Sequence, residues 1–106
     1  MNTLQQQGYF NPVLYTNDLS ITVGTTAVTA YAQLQGYTYS FLRIFNTHAS
    51  NTIWASRAGT AAVGGKGSFS IGPGLYELWV APGPVPLNAL SIISTGANTN
   101  VTIEVG

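Results

Sequence analysis

Asn100-Val101-Thr102-Ile103-Glu104-Val105 places Val101, Ile103 and Val105 on one side of an extended chain and Thr102 and Glu104 on the other. That alternation is the mark of a half-buried strand. The same period of two recurs in Leu19-Ser20-Ile21-Thr22-Val23 and in Ser68-Phe69-Ser70-Ile71, each with an apolar residue at every second position. Glycine and proline punctuate the chain at intervals of about eight to twelve residues, and the intervals are rich in Thr, Val, Ile, Tyr and Phe. No stretch carries apolar residues at helical spacing behind a capping box. The reading is all-β: an antiparallel β-sandwich or jelly-roll-like barrel of about eight strands.

Two segments are apolar on both faces. In Tyr37–Asn46, Leu42 and Ile44 share one face while Tyr39, Phe41 and Phe45 share the other with Arg43. In Leu75–Val80, Leu75 and Trp79 lie on the Glu77 side and Tyr76, Leu78 and Val80 on the other. Both read as central strands or as strands whose outer face a partner covers. Ala27–Gln33 reads as a further strand, and Asn88–Ser94 as one that pairs in a hairpin with the 100–105 strand through the Thr95–Asn98 turn. Gly72-Pro73-Gly74 predicts a tight turn, with Pro fixing φ and glycine allowing positive φ. Ala81–Pro86, with three prolines, predicts a stiff extended connection, and Ala58–Gly67 a mobile hairpin loop.

The chain divides into an arm over residues 1–17 and a single β-sandwich domain over 18–106. Gln5-Gln6-Gln7 is polar and Tyr9-Phe10-Asn11-Pro12-Val13-Leu14-Tyr15 is apolar but cut by Pro12, which suits an extended arm lying on another subunit or an edge strand of the same domain.

Of the 106 residues only three are Lys or Arg and three Asp or Glu, about a quarter of the usual charged share. Low charge here does not mean a membrane helix, since no apolar run approaches the about 20 residues a span needs. It does not mean disorder, because 45% hydrophobic composition supplies a core. A net charge of zero without a basic run argues against nucleic acid, whose affinity is built on Lys and Arg at phosphates. Residues 1–7 lack the basic start and apolar stretch of a secretory signal, so maturation inside a cell is expected. Cysteine is absent, which removes disulfides, thiolate ligands and thiol nucleophiles.

Chemistry has little to stand on. The acids Asp18, Glu77 and Glu104 are isolated from one another, and His48 falls in the polar turn Asn46–Asn51, where a solvated surface histidine is expected. No serine sits in a Gly-x-Ser-x-Gly elbow. Gly64-Gly65-Lys66-Gly67-Ser68 lacks the spacing of a phosphate loop, and the Asn100-Val101-Thr102 sequon lies within a strand without a secretory signal. No catalytic residue, cofactor or metal is expected. Trp54 and Trp79 are candidates for a sugar-stacking platform, but packing and subunit contact suit the aromatics better. The residues expected to meet partners are Tyr9, Phe10, Val13, Tyr15, Tyr39, Phe41, Phe45, Tyr76 and Trp79.

From Tyr39 onward, Arg43 with its apolar neighbours leading into Asn46, then Asn51-Thr52-Ile53-Trp54, the Gly72-Pro73-Gly74 turn and Asn100–Glu104 form a pattern similar to small β-sandwich structural proteins of tailed phages and prophages. The resemblance implies a non-enzymatic virion protein, first of all a capsid decoration (cement) protein. Such a protein binds the major capsid protein on the outside of the head and itself as a homo-oligomer, a trimer by the same resemblance. It is assembled in the host cytoplasm and resides on the virion surface. The alternatives are a carbohydrate- or receptor-binding sandwich of a fibre or spike tip, and a tail or connector adaptor.

Overall fold

The computed structural model describes residues 16–33, 39–83 and 85–106, and these form nine strands and no helix. They are β1 (Asn17–Asp18), β2 (Ile21–Val23), β3 (Val28–Tyr31), β4 (Phe41–Asn46), β5 (Ile53–Ser56), β6 (Phe69–Ile71), β7 (Tyr76–Val80), β8 (Leu90–Ser94) and β9 (Thr99–Val105). One antiparallel sheet, A, runs β1-β9-β4-β7 with β2 also on β9, and a second, B, runs β3-β8-β5-β6. Tyr9, Phe10, Val13 and Tyr15 of the expected arm lie outside the described residues. Asn17, its last residue, already belongs to the sheet, opposite Val105.

The pairs are nested. β1 and β2 pair with β9, β3 with β8, β4 with β7, and β5 with β6. Taken as one interrupted strand, β1 and β2 reduce nine strands to eight, and the nesting is that of a long hairpin folded over and rolled, the jelly roll. The interruption has a local cause. The Ser20 hydroxyl accepts the Ile103 N–H at 3.1 Å, taking a ladder position that a backbone carbonyl would otherwise fill, while the Ser20 N–H donates to Asp18 Oδ1 at 2.9 Å. Leu19 N–H still reaches the Ile103 carbonyl at 2.7 Å, so the edge stays attached across the break.

Rolling corrects one expectation. β8 and β9 are consecutive but do not form a hairpin: β8 pairs with β3 and β5 in sheet B, β9 with β4 and the β1/β2 edge in sheet A. Leu90 and Ile92 of β8 face Val101, Ile103 and Val105 of β9 across the core, and all five are buried. Burying both apolar faces against each other removes more surface from water than laying the strands side by side. Thr95–Asn98 therefore bridges two sheets, with Asn98 at φ 54°. The β6–β7 link bridges them too. It is a turn closed by Leu75 N–H to the Gly72 carbonyl at 3.1 Å, with Pro73 second and Gly74 third at φ 73°, the positive value that this turn type asks of glycine.

Ala81–Pro86 does not run straight out of β7 as an extended connection. Gly83 N–H bonds back to the Val80 carbonyl at 3.1 Å, so the chain turns at once. The Ala58–Gly67 loop joins β5 to β6 as a hairpin connection, but it is pinned rather than loose. Ala61 is buried and its N–H donates to Ser91 Oγ at 2.9 Å, and Gly65 approaches Ala62 so closely that a Cβ there would stand 2.7 Å from the Ala62 Cβ.

One end of the sandwich is closed by polar groups. Asn46, fully buried at the end of β4, donates through Nδ2 to the Asn51 carbonyl at 2.8 Å and to the Ile71 carbonyl of β6 at 2.9 Å. Its Oδ1 accepts the His48 N–H at 3.1 Å. Asn46 thus ties sheet A to sheet B with every bond of a buried amide satisfied. Replacing it by the similarly shaped leucine strands the buried Ile71 carbonyl together with the part-buried Asn51 carbonyl and His48 N–H. Asn46→Leu is expected to lower the unfolding free energy by about 2–4 kcal/mol, against at most about 1 kcal/mol for Thr22→Val, which loses only an exposed bond to Asn100. Urea denaturation of the two variants checks this.

Candidate functional site

In β4 the side chains alternate: Leu42, Ile44 and Asn46 are buried against sheet B, while Phe41, Arg43 and Phe45 point outward and are half-buried. The register carries the same division to the neighbours. Phe41 faces Val80, Arg43 faces Leu78 and Phe45 faces Tyr76 on β7, and on the other side Arg43 faces Glu104 and Phe45 faces Thr102 on β9. The outer face of sheet A is therefore a graded surface. Toward β9 it is polar, with Thr22, Asn100, Thr102 and Glu104. Toward β7 it is apolar, with Tyr76, Leu78 and Val80 exposed by 57%, 46% and 52%.

Arg43 stands on the seam between the two halves. One Nη lies 2.7 Å from Glu104 Oε1, and the guanidinium sits 5.6 Å from the centre of the Phe45 ring, which in turn meets Tyr76 edge-on at 6.1 Å. The ion pair is about one-third exposed and contributes about 0–1 kcal/mol. Its larger effect is to leave the face electrically neutral beside the apolar strip. Among the described residues β7 is the edge of its sheet. Apolar residues on both sides of Leu75–Val80 predict a covered strand, but among the described residues β7 pairs with β4 alone and nothing lies over Tyr76, Leu78 or Val80.

The residues expected to meet partners divide accordingly. Phe41, Phe45 and Tyr76 come together on the outer face. Tyr39 and Trp79 turn inward and pack against the core. Leu78 and Val80 join Tyr76, and Leu75, 60% exposed, immediately precedes β7. The alternation in the sequence already sets Leu78 and Val80 on the face of Tyr76 and Trp79 on the opposite one, and the expected set followed the aromatic rings rather than that face.

Trp79 occupies a corner between the sheets. The Arg57 guanidinium covers its ring at 4.3 Å, a cation–π contact, and Phe69 of β6 meets it edge-on at 6.3 Å. Arg57 Nη2 also reaches the Tyr31 hydroxyl at 3.5 Å, while its Nε is buried without a hydrogen-bond partner. With Arg57 over one face of the Trp79 ring and Phe69 edge-on to it, Trp54, half-buried on the outer side of sheet B, is the better placed of the two tryptophans for stacking.

His48 is not simply solvated. Its Nδ1 accepts the N–H groups of both Ser50 and Asn51, at 3.0 and 2.9 Å, so the imidazole shapes the turn that presents Asn51 to Thr99. A shallow depression beside β2 and β9 is lined by Ser20, Thr22, Asn100 and Thr102, hydroxyls and an amide without a charge. Among the described residues no three His, Asp or Glu side chains gather as a metal would require. The chain matches no family model, no curated protein and no solved structure.

Burial pushes the Tyr31 phenol above its ordinary value of 10.0, with the Arg57 charge and hydrogen bond opposing. The folded state holds the proton after the unfolded chain has begun to lose it. The stability this contributes is whole below about pH 10 and is lost as pH rises from there through the folded value. Tyr31→Phe is expected to flatten that alkaline decline, measured as the denaturation midpoint at about pH 9 and about pH 11.

Proposed function

We propose that this chain is a non-enzymatic structural protein of a virion, a decoration (cement) protein that binds the outer surface of a phage head through the major capsid protein and reinforces the shell. The observation that carries the docking role is the strip of Tyr76, Leu78 and Val80, exposed beside half-buried Phe41 and Phe45 and bordered by the neutralised Arg43–Glu104 pair. Rings and aliphatic chains grouped on a rigid sheet, without net charge, suit a protein surface better than a phosphate or a small polar substrate. The phage assignment rests on the resemblance of the sequence from Tyr39 onward, and a jelly roll is compatible with it, being a common architecture of viral capsid and lectin domains.

A decoration protein needs many modest contacts rather than one strong one, because attachment to a lattice multiplies them. The remaining surface, rich in Ser, Thr and Asn, keeps the exposed side of such a protein hydrated. Assembly in the host cytoplasm is consistent with a fold that needs no disulfide.

The test is reconstitution. Purified chain mixed with shells stripped of it is expected to bind saturably and to raise the temperature at which the shells rupture. Tyr76→Ser, a change at an exposed position, is expected to weaken occupancy by at least about fivefold, as removal of an aromatic anchor does. Shells that stay bare, or that fill without any change in rupture temperature, overturn the assignment, and attachment confined to the tail vertex moves it to a connector role.

A further inference from the structure

The free side of β7 carries a second kind of information, in its backbone. Asn46 N–H bonds to the Leu75 carbonyl at 3.0 Å and Ala81 N–H to the Ser40 carbonyl at 2.8 Å. In an antiparallel ladder the bonding residues alternate, so Glu77 and Trp79 exchange bonds with β4 while the N–H and C=O groups of Tyr76, Leu78 and Val80 point to the open edge. Among the described residues only the Val80 carbonyl has another partner there, Gly83, and a carbonyl oxygen can accept a second bond.

The other sheet edges are poor templates for pairing. The β1/β2 edge is broken at Ser20, β3 carries a register shift between Thr29 and Tyr31, and β6 has three residues. Short, bulged or interrupted edges are how sheets avoid joining one another. β7 has five residues in unbroken register.

Two opposite charges flank this edge without counter-ions. Among the described residues the ion pair within 4 Å is Arg43–Glu104, which leaves Glu77 exposed on β7 and Arg57 held against the Trp79 ring. We infer that β7 joins β7 of a second copy, antiparallel and centred on Leu78, so that Glu77 of each copy meets Arg57 of the other.

The register follows from the chain. Centring on Leu78 sets Leu78 against Leu78 and Tyr76 against Val80, using all three outward-facing residues. Centring on Glu77 or Trp79 leaves one of the three unused, and the Glu77 centre sets two carboxylates face to face, which is destabilising. With Leu78 at the centre, Glu77 lies opposite Trp79 of the other copy, with Cβ atoms about 5 Å apart on the same side of the sheet. The guanidinium already resting on that ring is then within reach of the carboxylate. The junction is isologous, so each contact occurs twice. It leaves Tyr76, Leu78 and Val80 pointing outward and sets the two apolar strips side by side as one wider face. It goes beyond the shell assignment and does not depend on it, and it gives a two-fold pair where the resemblance implies a trimer.

Sedimentation equilibrium of the free full chain at increasing concentration tests it. The expected species is a monomer in equilibrium with a dimer whose association weakens with added salt. Glu77→Arg, at an exposed position, is expected to raise the dissociation constant at least about tenfold, equivalent to about 1.4 kcal/mol over the two symmetry-related pairs. Combining it with Arg57→Glu restores the affinity to within about threefold, and circular dichroism confirms the fold of each variant; should Arg57→Glu not fold, the Glu77→Arg result and the salt dependence decide. Leu78→Pro removes the central outward N–H without touching a bond to β4 and abolishes the dimer. A chain that stays monomeric at millimolar concentration, a trimer, or a dimer indifferent to Glu77→Arg and to salt overturns the inference.

Discussion

The molecule depends on β9 being held from both sides. It pairs with β4 over Val101–Val105 on one flank and with the β1/β2 edge over residues 99–101 and 104–105 on the other, and it supplies four of the buried inner positions, Thr99, Val101, Ile103 and Val105. Every other placement follows from that seat. With β9 in the middle of sheet A, β8 cannot be its ladder neighbour and crosses to sheet B. The nested pairs then close outward to inward, ending with β5 and β6. A strand from one end of the sequence held between strands from its beginning and its middle means that the stabilising contacts are long-range, the pattern associated with slow folding.

The sparse charge acquires a spatial meaning in this frame. Arg43 and Glu104 neutralise each other across the β4–β9 ladder, Arg57 lies on an aromatic ring, and Glu77 projects from the edge. Charges on an edge strand ordinarily keep sheets apart, since like charges meet when two copies align. A single carboxylate next to a position with a guanidinium behind it has the reverse effect in an antiparallel pair, because two-fold symmetry sets each charge against the other kind. Apolar side chains and main-chain groups then decide what binds, and charge decides the register.

The two ends of the sandwich differ in chemistry. At one, Asn46, Asn51, Ser94 and Thr99 link the sheets through hydrogen bonds, Ser94 Oγ and Thr99 Oγ1 lying 2.7 Å apart. At the other, Tyr31, Arg57, Phe69 and Trp79 fill the corner with rings and one guanidinium. Directional bonds fix the spacing of the sheets at the first end, whereas packing fixes it at the second. The turn residues of 46–51 look like an ordinary polar loop in sequence, and only their convergence on the buried Asn46 amide makes them structural.

Read alone, the sequence determined which residues share a face. Side chains alternate across an extended chain whatever its neighbours are, so Val101, Ile103 and Val105, Leu42 and Ile44, and the positive φ of Gly74 were legible from local pattern, as was the all-β class. Phe41 with Phe45, and Tyr76 with Leu78 and Val80, were legible as same-face groups for that reason, but their meeting on one outer face came from the β4–β7 register. What the tertiary structure alone decided was adjacency: that β8 faces β9 instead of pairing with it, that Trp79 turns into a corner beneath Arg57, and that β7 is an edge among the described residues. Periodicity fixes the face a residue occupies but carries no term for the strand beside it. That choice is made by the burial of two whole sheets against each other, a sum over residues far apart in the chain.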